Sequence, residues 1–543
     1  MPTLALLAAA MLAQAPRAGG PPIPPETLTI VVAATTDVHG RVMSWDYEQH
    51  REAPLGLVRA ATVVDSLRRA HPGRVVLVDA GDLIQGNSFA TYFARVQPRA
   101  VHPILAAMNR MGYAVAAPGN HEFNFGLGAM QRALGAAAFP YLAANVVDAR
   151  TRVSPFAPYV LLDVMGVRVG IAGAITPGVL VWDAPYVRGT LDFLDVAQAV
   201  PPVVREMRSR GADVTVLVVH AGLDGESSYP PGAAPPEDNV AAAIRAAPDL
   251  DLAVIGHTHR EITDTTVGRT LVVQPRNWAQ SVAVAELRLV RDGGRWRVAA
   301  KRGRAIPLAR VAPHPEFIGA LTGAHDSVVA WVRRPLARAT AAMSAVRARL
   351  EDTPVLDFIN RVQLERTGAQ LSATAAFNLR GGIPAGDVTT ADVTSIYPYE
   401  NTLKAIRISG ADLRAYLERS SRFYRGMGAA GPVENDSVPG YNFDMVSGAE
   451  YELDLAQPVG RRVVRLLVNG RAVADTDSFT LALNSYRQQG GGGFAMLARA
   501  PVVYDRGESI RDILIDDVER RRVIRPEDFF VRNWSIRGVR ATP

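Results

Sequence analysis

Short apolar runs recur along the chain from residue 27 to residue 311, and stretches with helical spacing separate them. The runs are rich in Val, Ile, Leu and Ala, and they are Leu28–Ala34, Val75–Val78, Tyr113–Ala116, Val214–Val219 and Leu252–Ile255. Strands that are buried on both faces of a parallel sheet have this continuous apolar character. The pattern therefore predicts an α/β domain over residues 27–311.

A different pattern follows in residues 312–336, where apolar side chains fall near one face at helical spacing. These positions are Phe317, Ile318, Leu321, Val328, Val329 and Val332. Pro315 stands where a helix commonly begins. We expect this segment to be a linker helix between two domains.

Residues 337–543 mix strand and helix patterns and predict a second α/β domain. Its strands are expected at Leu403–Ile408, Ala449–Leu455, Val463–Val468 and Phe479–Leu483, and a helix at Ala411–Ser421. Two loops, residues 378–382 and 488–494, are rich in glycine. Glycine lets the backbone approach a ligand closely, although such loops are also ordinary turns.

The composition agrees with a two-domain globular protein. Hydrophobic residues make up 48% of the chain and charged residues 21%, and 543 residues are too many for one ordinary core. The net charge of +6 is a weak excess for this length, and Lys and Arg form no cluster. The sequence therefore disfavours a stable nucleic-acid partner. It does not predict an oligomeric state.

The first residues have the pattern of an export signal. Leu4–Leu12 is apolar, and Ala13-Gln14-Ala15 has the form of a cleavage site, so residues 1–15 are predicted as a signal peptide. Residues 16–26 contain a Pro- and Gly-rich tether. No Lys or Arg precedes the apolar run, and the alternative is a disordered Ala-rich tail. Export would make the protein periplasmic or secreted, and no apolar run is long enough to span a membrane.

Metal-ligand side chains follow five of the apolar runs. They are Asp37 and His39, Asp82, Asn120, His220, and His257 with His259. Ligands of open α/β folds gather beyond the carboxyl ends of the strands, so we expect these side chains to meet. Cysteine is absent, which restricts any metal to imidazole, carboxylate and amide oxygen, the donors that suit zinc, manganese or similar cations.

The spacing and charge of these side chains favour two divalent cations. Asp37 and His39 are two residues apart, and side chains at this spacing point the same way in an extended segment. His257 and His259 repeat the pattern, and Asp82 suits a carboxylate that bridges two metals. Two dications bear more charge than two carboxylates remove, and the remainder favours a phosphoryl group. The reaction predicted is metal-assisted attack of water on a phosphate ester.

His121 directly follows Asn120 and would lie at the edge of such a site. There it would stabilise the pentacovalent phosphate or protonate the leaving oxygen. The alternative is a structural histidine beside the ligands.

The motifs resemble the calcineurin-like metallophosphoesterases, and the two-domain plan is similar to the 5′-nucleotidase family. The first domain carries the resemblance in TTDVHGRVMSWDY, GDLIQG, GNHEFNFGL and FPYLAANVVDART. The second carries it in YPYENTL, YNFDMVSGAEYELDLAQPVG and NSYRQQGG. The resemblance implies an α/β-sandwich metallophosphoesterase domain, a linker helix and a C-terminal α/β nucleotide-binding domain.

The resemblance also implies roles for particular residues. One metal would be held by Asp37, His39, Asp82 and His259, and the other by Asp82, Asn120, His220 and His257. His121 would be the catalytic histidine. In the second domain, Tyr399 and Tyr486 would sandwich a nucleobase, with Asn401 touching the base and Arg380 near the phosphate or ribose.

Two departures favour the cyclic-nucleotide subgroup. Many 5′-nucleotidases have an Asp paired with the catalytic His where this chain has Asn124, whose carbonyl oxygen would still orient His121. They also have an Asp in the loop that reads Gly490–Gly493 here. We therefore expect a secreted dimetal phosphoesterase that opens 2′,3′-cyclic nucleotides to 3′-nucleotides and then removes the 3′-phosphate. The alternatives are a 5′-nucleotidase or UDP-sugar hydrolase, and a non-catalytic nucleoside-binding surface protein.

Overall fold

The computed structural model describes residues 26–99 and 101–539. The predicted signal peptide, and the predicted tether apart from Glu26, lie outside these residues. Within the described part of the chain, no helix is both long enough and apolar enough to cross a membrane.

The N-terminal domain is built around two sheets. Its main strands are β1 Thr27–Thr35, β2 Val75–Asp79, β3 Val115–Ala116, β4 Tyr159–Val164, β5 Val167–Ile175, β6 Val214–His220, β7 Leu252–Ile255, β8 Ile262–Val267, β9 Thr270–Gln274, β10 Ser281–Asp292 and β11 Arg295–Pro307. The first sheet has the order β11-β10-β1-β2-β3, and the second β8-β9-β7-β6-β5-β4. Strands β1, β2 and β3 are parallel to one another, as are β5, β6, β7 and β9.

The two sheets pack face to face between two layers of helices. The helices are α1 Leu57–Ala70, α2 Pro103–Met111, α3 Leu127–Leu134, α4 Val196–Ser209 and α5 Val240–Ala246. In β1, Ile30 and Val32 belong to the core between the sheets, whereas Val31 and Ala33 pack with the first helix layer. Helices α4 and α5 cover the other sheet. Burial on both faces explains the continuous apolar runs, and the predicted α/β sandwich is confirmed.

A helix, α6 (Pro315–Val332), follows the N-terminal domain. Its Phe317, Leu321 and Val328 are buried in the core that lies under α1 and α2. The helix is thus part of the first domain's packing rather than a free spacer. The end of the segment predicted as linker, from Pro335, is instead strand β12 (Pro335–Ala339) of the second domain.

The C-terminal domain has its own core and a central five-stranded sheet. Its main elements are α7 Pro354–Thr367, β13 Leu371–Ala375, α8 Thr390–Ile396, β14 Thr402–Ser409, α9 Gly410–Ser420, β15 Asp444–Ser447, β16 Ala449–Leu453, β17 Val463–Val468, β18 Ser478–Asn484, β19 Val502–Ser509, α10 Ile510–Arg521 and β20 Trp534–Ile536. The central sheet has the order β15-β13-β18-β14-β19, and β17, β16 and β20 belong to a second sheet.

Candidate metal centre and substrate cleft

The predicted ligands of the N-terminal domain lie at one edge of the sandwich. Asp37 and His39 follow β1, and Asp82 follows β2. From the second sheet, His220 ends β6, and the segment with His257 and His259 follows β7. Because these strands run parallel within each sheet, their carboxyl ends meet at the same edge.

Four side chains form a first group. The Nε2 atom of His39 lies 3.1 Å from Nε2 of His259 and 3.9 Å from Oδ1 of Asp37. His259 Nε2 is 3.4 Å from the same Asp37 oxygen, and His39 Nε2 is 3.7 Å from Oδ2 of Asp82. These distances join atoms that would all be donors to one ion, and they bring together the four residues predicted for one metal.

A second group shares Asp82. Its Oδ2 lies 3.0 Å from Nε2 of His220, which is in turn 3.1 Å from Oδ1 of Asn120. One carboxylate oxygen of Asp82 thus lies between the two groups, as a bridging ligand requires. The other oxygen accepts a 2.8 Å hydrogen bond from the backbone N–H of His121.

His257 is placed beside the second group by a residue that the sequence did not indicate. The His257 ring centroid is 5.2 Å from that of His220, and its Nε2 lies 3.0 Å from Oε1 of Glu237. The ring of Trp182 lies against it, with centroids 5.4 Å apart. If Nε2–H donates to Glu237, Nδ1 is the nitrogen left for a metal, which is the usual arrangement of a ligand histidine with a carboxylate behind it.

The backbone at the ligands differs from the prediction. The pairs Asp37 with His39 and His257 with His259 were expected in extended segments, but all four residues have positive φ values, between 48° and 75°. Asp82 is similar, at 62°. Non-glycine residues rarely adopt this region, and they persist there where the surrounding structure holds them, often at functional sites. The ligands therefore converge through tight left-handed turns and not through strand alternation.

The chemistry of these residues suits divalent cations. Among the described residues, the buried Oδ1 atom of Asp37 has no hydrogen-bond partner, so it can accept a cation. Burial lowers the pKa of His39 to about 3 even though Asp82 opposes the shift, which favours a neutral imidazole. Burial also opposes charge on His220, but Asp82 and Asp37 raise its pKa to about 10. A cation near these carboxylates would displace that proton.

Glu122 holds the turn that carries Asp82. Its buried carboxylate accepts hydrogen bonds from the backbone N–H groups of Asp82, Leu83 and Gly119. Burial and nearby Asp82 raise the pKa of Glu122 to about 7, although the three N–H donors favour its charged form. A Cβ at Gly119 would lie 2.1 Å from Oδ1 of Asp82, so only glycine allows this approach. The motif Gly119-Asn120-His121-Glu122 thus combines a ligand, a candidate catalytic residue and a support.

His121 lies at the edge of the metal centre, with Nε2 3.9 Å from Oδ2 of Asp82. Its other ring nitrogen, Nδ1, is 2.6 Å from Oδ1 of Asn124. The carbonyl oxygen of Asn124 therefore contacts His121, as the sequence suggested. The amide nitrogen of Asn124 donates a 2.9 Å hydrogen bond to Asp183, which the sequence did not indicate.

A cleft of about 660 Å³ joins the metal centre to the C-terminal domain. From the N-terminal domain it is lined by residues that include Asp82, Asn120, His121, His257 and His259. From the C-terminal domain its lining includes Phe377, Tyr399, Asn401, Tyr441 and Tyr486. Four of the seven predicted metal ligands and the residues predicted to bind a base thus face one cavity.

The tyrosines of the cleft are held by contacts deeper in the C-terminal domain. Tyr399 packs edge-on against Phe377, with centroids 5.2 Å apart, and Tyr441 lies 6.4 Å from Tyr399. A Cβ at Gly491 would lie 2.6 Å from the ring of Tyr486, so the glycine-rich loop packs directly on this side chain.

A buried arginine beneath these rings links the loop to Tyr441. Arg487 pairs with Asp444 through Nε and Nη2, at 2.6 Å and 3.0 Å. Its guanidinium also donates to the carbonyl oxygens of Gly491, at 2.5 Å, and Tyr441, at 2.8 Å. Such a pair fixes the relative positions of two loops that are far apart in sequence.

Two family models match the chain. The calcineurin-like phosphoesterase model matches residues 30–261, and the 5′-nucleotidase C-terminal domain model matches residues 334–499. The chain is a calcineurin-like phosphoesterase with a 5′-nucleotidase C-terminal domain. It is accordingly a metal-dependent phosphoric ester hydrolase.

Relatives of this phosphoesterase span most of its length. It is 29% identical over 560 residues to the 2′,3′-cyclic-nucleotide 2′-phosphodiesterase/3′-nucleotidase of Haemophilus influenzae. The alignment covers 90% of this chain and 84% of that protein. It is 27% identical to the trifunctional nucleotide phosphoesterase protein YfkN of Bacillus subtilis, over 94% of this chain but 39% of that longer protein. A Staphylococcus aureus structure assigned as a 5′-nucleotidase matches with a TM-score of 0.81 and 25% identity, over 94% of this chain and 100% of that one.

One predicted residue of the phosphoesterase lies apart from the cleft. Arg380 is exposed on the turn after β13, and its backbone N–H donates to Asn378. The described residues that line the cleft do not include it. The arrangement therefore does not support the phosphate or ribose role expected of Arg380.

Proposed function

We propose that the protein hydrolyses 2′,3′-cyclic nucleotides to 3′-nucleotides and then removes the 3′-phosphate, with two divalent cations in the metal centre. The observation that carries the proposal is the shared cleft, in which Asp82 and Asn120 face the same cavity as Tyr399 and Tyr486. A nucleotide needs both a phosphate site and a flat apolar site for its base, and base–aromatic stacking supplies the second.

The residues of the chain have distinct parts in this reaction. Asp37, His39, Asp82 and His259 would hold one cation, and Asp82, Asn120, His220 and His257 the other. Such a pair supplies an activated water and offsets the charge that develops on phosphorus. His121 would donate a proton to the leaving ribose oxygen, and the contact of its Nδ1 with the Asn124 oxygen supports a role of Asn124 in directing the ring.

The choice among nucleotide substrates rests on the two departures and on the relatives. Asn124 and the loop Gly490–Gly493 stand where many 5′-nucleotidases have Asp. The Haemophilus influenzae relative is named for the cyclic-nucleotide and 3′-nucleotide activities. The rival activity is that of a 5′-nucleotidase or UDP-sugar hydrolase, because the metal chemistry is shared. A non-catalytic nucleoside-binding role is disfavoured by the converging ligand set.

The test is a comparison of hydrolysis rates for 2′,3′-cyclic AMP, 3′-AMP, 5′-AMP and a UDP-sugar by the purified protein with manganese or zinc. We expect the first two to be preferred. Preference for 5′-AMP or the UDP-sugar would replace the proposed activity by the rival one. No hydrolysis of any of them, in protein shown to bind the metal, would favour the non-catalytic role.

We also propose that the domains close on the substrate by rotation, since the base site and the metal centre belong to different domains. The arrangement in this structure brings both to one cleft. A crosslink that locks the domains apart should abolish turnover, and full activity in that form would contradict the proposal.

The N-terminal sequence leads us to propose export as well. Cell fractionation with an antibody, together with the N-terminal sequence of the mature protein, tests this directly. Cleavage after Ala15 is the expected result, and an intact N-terminus in the cytoplasmic fraction would contradict it.

A further inference from the structure

We propose that Asp183 is a positioning residue for the reaction: it orients the Asn124 amide, which in turn fixes the tautomer and direction of His121. The three side chains form a chain of hydrogen bonds from the metal centre into the protein. It takes the place of the direct histidine–aspartate pair, with the carboxylate moved one residue further from the imidazole. The inference rests on the proposed role of His121 and goes beyond it by assigning a function to Asp183.

The geometry of the chain is continuous. His121 Nδ1 lies 2.6 Å from the Asn124 oxygen, and the Asn124 nitrogen lies 2.9 Å from Oδ1 of Asp183. An amide side chain can be turned by 180° with little change in shape, so its neighbours decide which end faces the histidine. The Asp183 oxygen accepts the N–H₂ group, and the carbonyl oxygen is therefore the end that faces His121.

This orientation determines where the imidazole carries its proton. A carbonyl oxygen only accepts hydrogen bonds, so Nδ1 of His121 must be the N–H nitrogen. Nε2, which lies 3.9 Å from Oδ2 of Asp82, is then the nitrogen that faces the reacting groups. For proton donation the ring also carries a proton on Nε2; this proton passes to the leaving oxygen, and the ring returns to its neutral Nδ1–H form. The Asn124 oxygen accepts Nδ1–H in both forms, whereas a reversed amide would set its N–H₂ group against Nδ1–H in both.

Asp183 has no evident structural task that would explain a buried carboxylate at this place. It lies between two short helices, Val179–Trp182 and Ala184–Val187, yet its side chain caps neither the second helix nor another described backbone group. Its side chain is 3% exposed, and its Oδ2 has no hydrogen-bond partner among the described residues. The bond from Asn124 is thus the contact that gives this carboxylate a role.

The same short segment reaches the other side of the site. Trp182, the preceding residue, lies against the ring of His257, with centroids 5.4 Å apart. Trp182 and Asp183 both line the cleft. The segment Val179–Val187 therefore contacts both a candidate metal ligand, His257, and the Asn124 side chain that faces His121.

The first test observes the tautomer directly. Nitrogen-15 NMR of the ring nitrogens distinguishes Nδ1–H from Nε2–H, and the spectrum of a His121→Gln variant assigns the His121 signals. We expect Nδ1–H in the wild-type protein and in Asp183→Asn, which keeps an acceptor oxygen. In Asp183→Leu, which has similar size and no acceptor, we expect loss of the Nδ1–H preference. An unchanged His121 tautomer in folded Asp183→Leu would overturn the proposal.

The second test uses two phosphodiesters that differ in their leaving groups. Nitrophenolate leaves without a proton, whereas a ribose alkoxide needs one, so only the second depends on a well-directed His121. For Asp183→Leu we expect kcat on 2′,3′-cyclic AMP to fall about tenfold or more. We expect kcat on bis(p-nitrophenyl) phosphate to fall much less, with little change in either KM. Equal losses on both esters would indicate a merely structural role and overturn the proposal.

A double variant that exchanges the two side chains tests whether misfolding alone explains the loss of activity in Asp183→Leu. Asn124→Asp combined with Asp183→Asn places a carboxylate directly on His121 and an amide behind it, with the same atoms in reach. This double variant should retain the Nδ1–H tautomer and recover most of the activity that Asp183→Leu loses. If a folded, metal-binding double variant did not recover activity, the proposal would be contradicted. The tautomer does not depend on which nucleotide is the natural substrate, and the wild-type rate on 2′,3′-cyclic AMP shows separately whether the proposed function fails.

Discussion

The two walls of the cleft are built in different ways. On the N-terminal wall, each ligand lies within a few residues of the end of its own strand, as Asp37 does after β1 and Asp82 after β2. On the C-terminal wall, three separate segments supply the tyrosines: a loop carries Tyr399, the 3₁₀ turn Gly440–Asn442 carries Tyr441, and the short helix Ser485–Gln488 carries Tyr486. Their positions depend on residues buried beneath them, among which Arg487 contacts both the Tyr441 backbone and the glycine-rich loop.

This contrast separates chemistry that is encoded locally from shape that is encoded by tertiary packing. A metal ligand is recognisable from its residue type and its place after a strand, because the parallel sheet brings all strand ends together. In the sequence, a tyrosine that would stack on a base looks the same as a tyrosine buried in the core. Only its neighbours in the fold show that it lines a cavity. Variants on the first wall should abolish the chemistry, whereas variants on the second should change substrate selection.

The largest effect is expected from Asp82→Asn on the metal wall. Asp82 contacts both ligand groups, so loss of its charge should remove bound metal and lower kcat on every phosphoester by more than about 100-fold, beyond the loss typical of residues that only support a ligand. Metal content by mass spectrometry and rates on bis(p-nitrophenyl) phosphate check this. Asp326→Asn, on the exposed face of α6, is the matched control. Retained activity in Asp82→Asn would remove the dimetal mechanism.

Replacing both Tyr399 and Tyr486 by Ala should instead discriminate between substrates. A base–aromatic stack is worth about 1–3 kcal/mol, so kcat/KM for nucleotides should fall about tenfold or more. The rate on bis(p-nitrophenyl) phosphate, which has no base, should change little. The Phe variants at both positions keep the rings and serve as controls. Equal losses on both substrates would show that Tyr399 and Tyr486 do not act through the base.

The sequence predicted which side chains converge on the metal wall, but not their backbone. The apolar runs located the strands, and the residues after them are the side chains that meet at one edge of the sandwich. Alternation in an extended segment was the wrong reason for the convergence of Asp37 with His39, since both have left-handed φ values. These turns are stabilised by bonds to another loop, such as that from the His39 N–H to the Asp82 carbonyl, which no local pattern reveals.

Residues that only position other side chains were not predicted from the sequence, for the same reason. Glu237 and Asp183 lie outside any strand or helix, and only the fold places them behind His257 and Asn124. Arg487 lies in a motif that was recognised, yet its pairing with Asp444 depends on strand order in the central sheet. The motif-bearing residues of both walls were thus accessible from sequence, whereas their supports were not.

The glycine-rich loop offers a smaller and more local test of the tyrosine wall. In Gly491→Ala, the added methyl group would lie 2.6 Å from both the ring and the backbone carbonyl oxygen of Tyr486, so Tyr486 would have to shift. We expect a higher KM for nucleotides, by no more than the value of one stack, about 1–3 kcal/mol, with little change for bis(p-nitrophenyl) phosphate. Gly319→Ala in α6, where the methyl group meets nothing within 4 Å, is the control. An unchanged nucleotide KM would mean that Tyr486 does not contact the base.

The smallest effect is expected where the two walls touch. Glu400, between Tyr399 and Asn401, forms a buried ion pair with Arg511 of its own domain. From the N-terminal domain, the Thr91 hydroxyl donates to Glu400 at 3.0 Å and accepts from Arg511 at 2.9 Å. This contact ties the loop that carries Tyr399 to the N-terminal domain, so it should favour the arrangement with one shared cleft.

Thr91→Val removes that hydroxyl while preserving the shape of the side chain. Because one hydrogen bond contributes about 1 kcal/mol, we expect nucleotide turnover to fall by a few-fold, and the domains to spend more time apart. Small-angle scattering or fluorescence transfer between labels on the two domains measures the second effect. Thr322→Val, on the exposed face of α6, is the control. If Thr91→Val lowers turnover of nucleotides and of bis(p-nitrophenyl) phosphate equally, with no change in domain separation, the contact supports the metal wall alone. If only nucleotide turnover falls and the domains separate, the two walls act together because this contact holds them in one cleft.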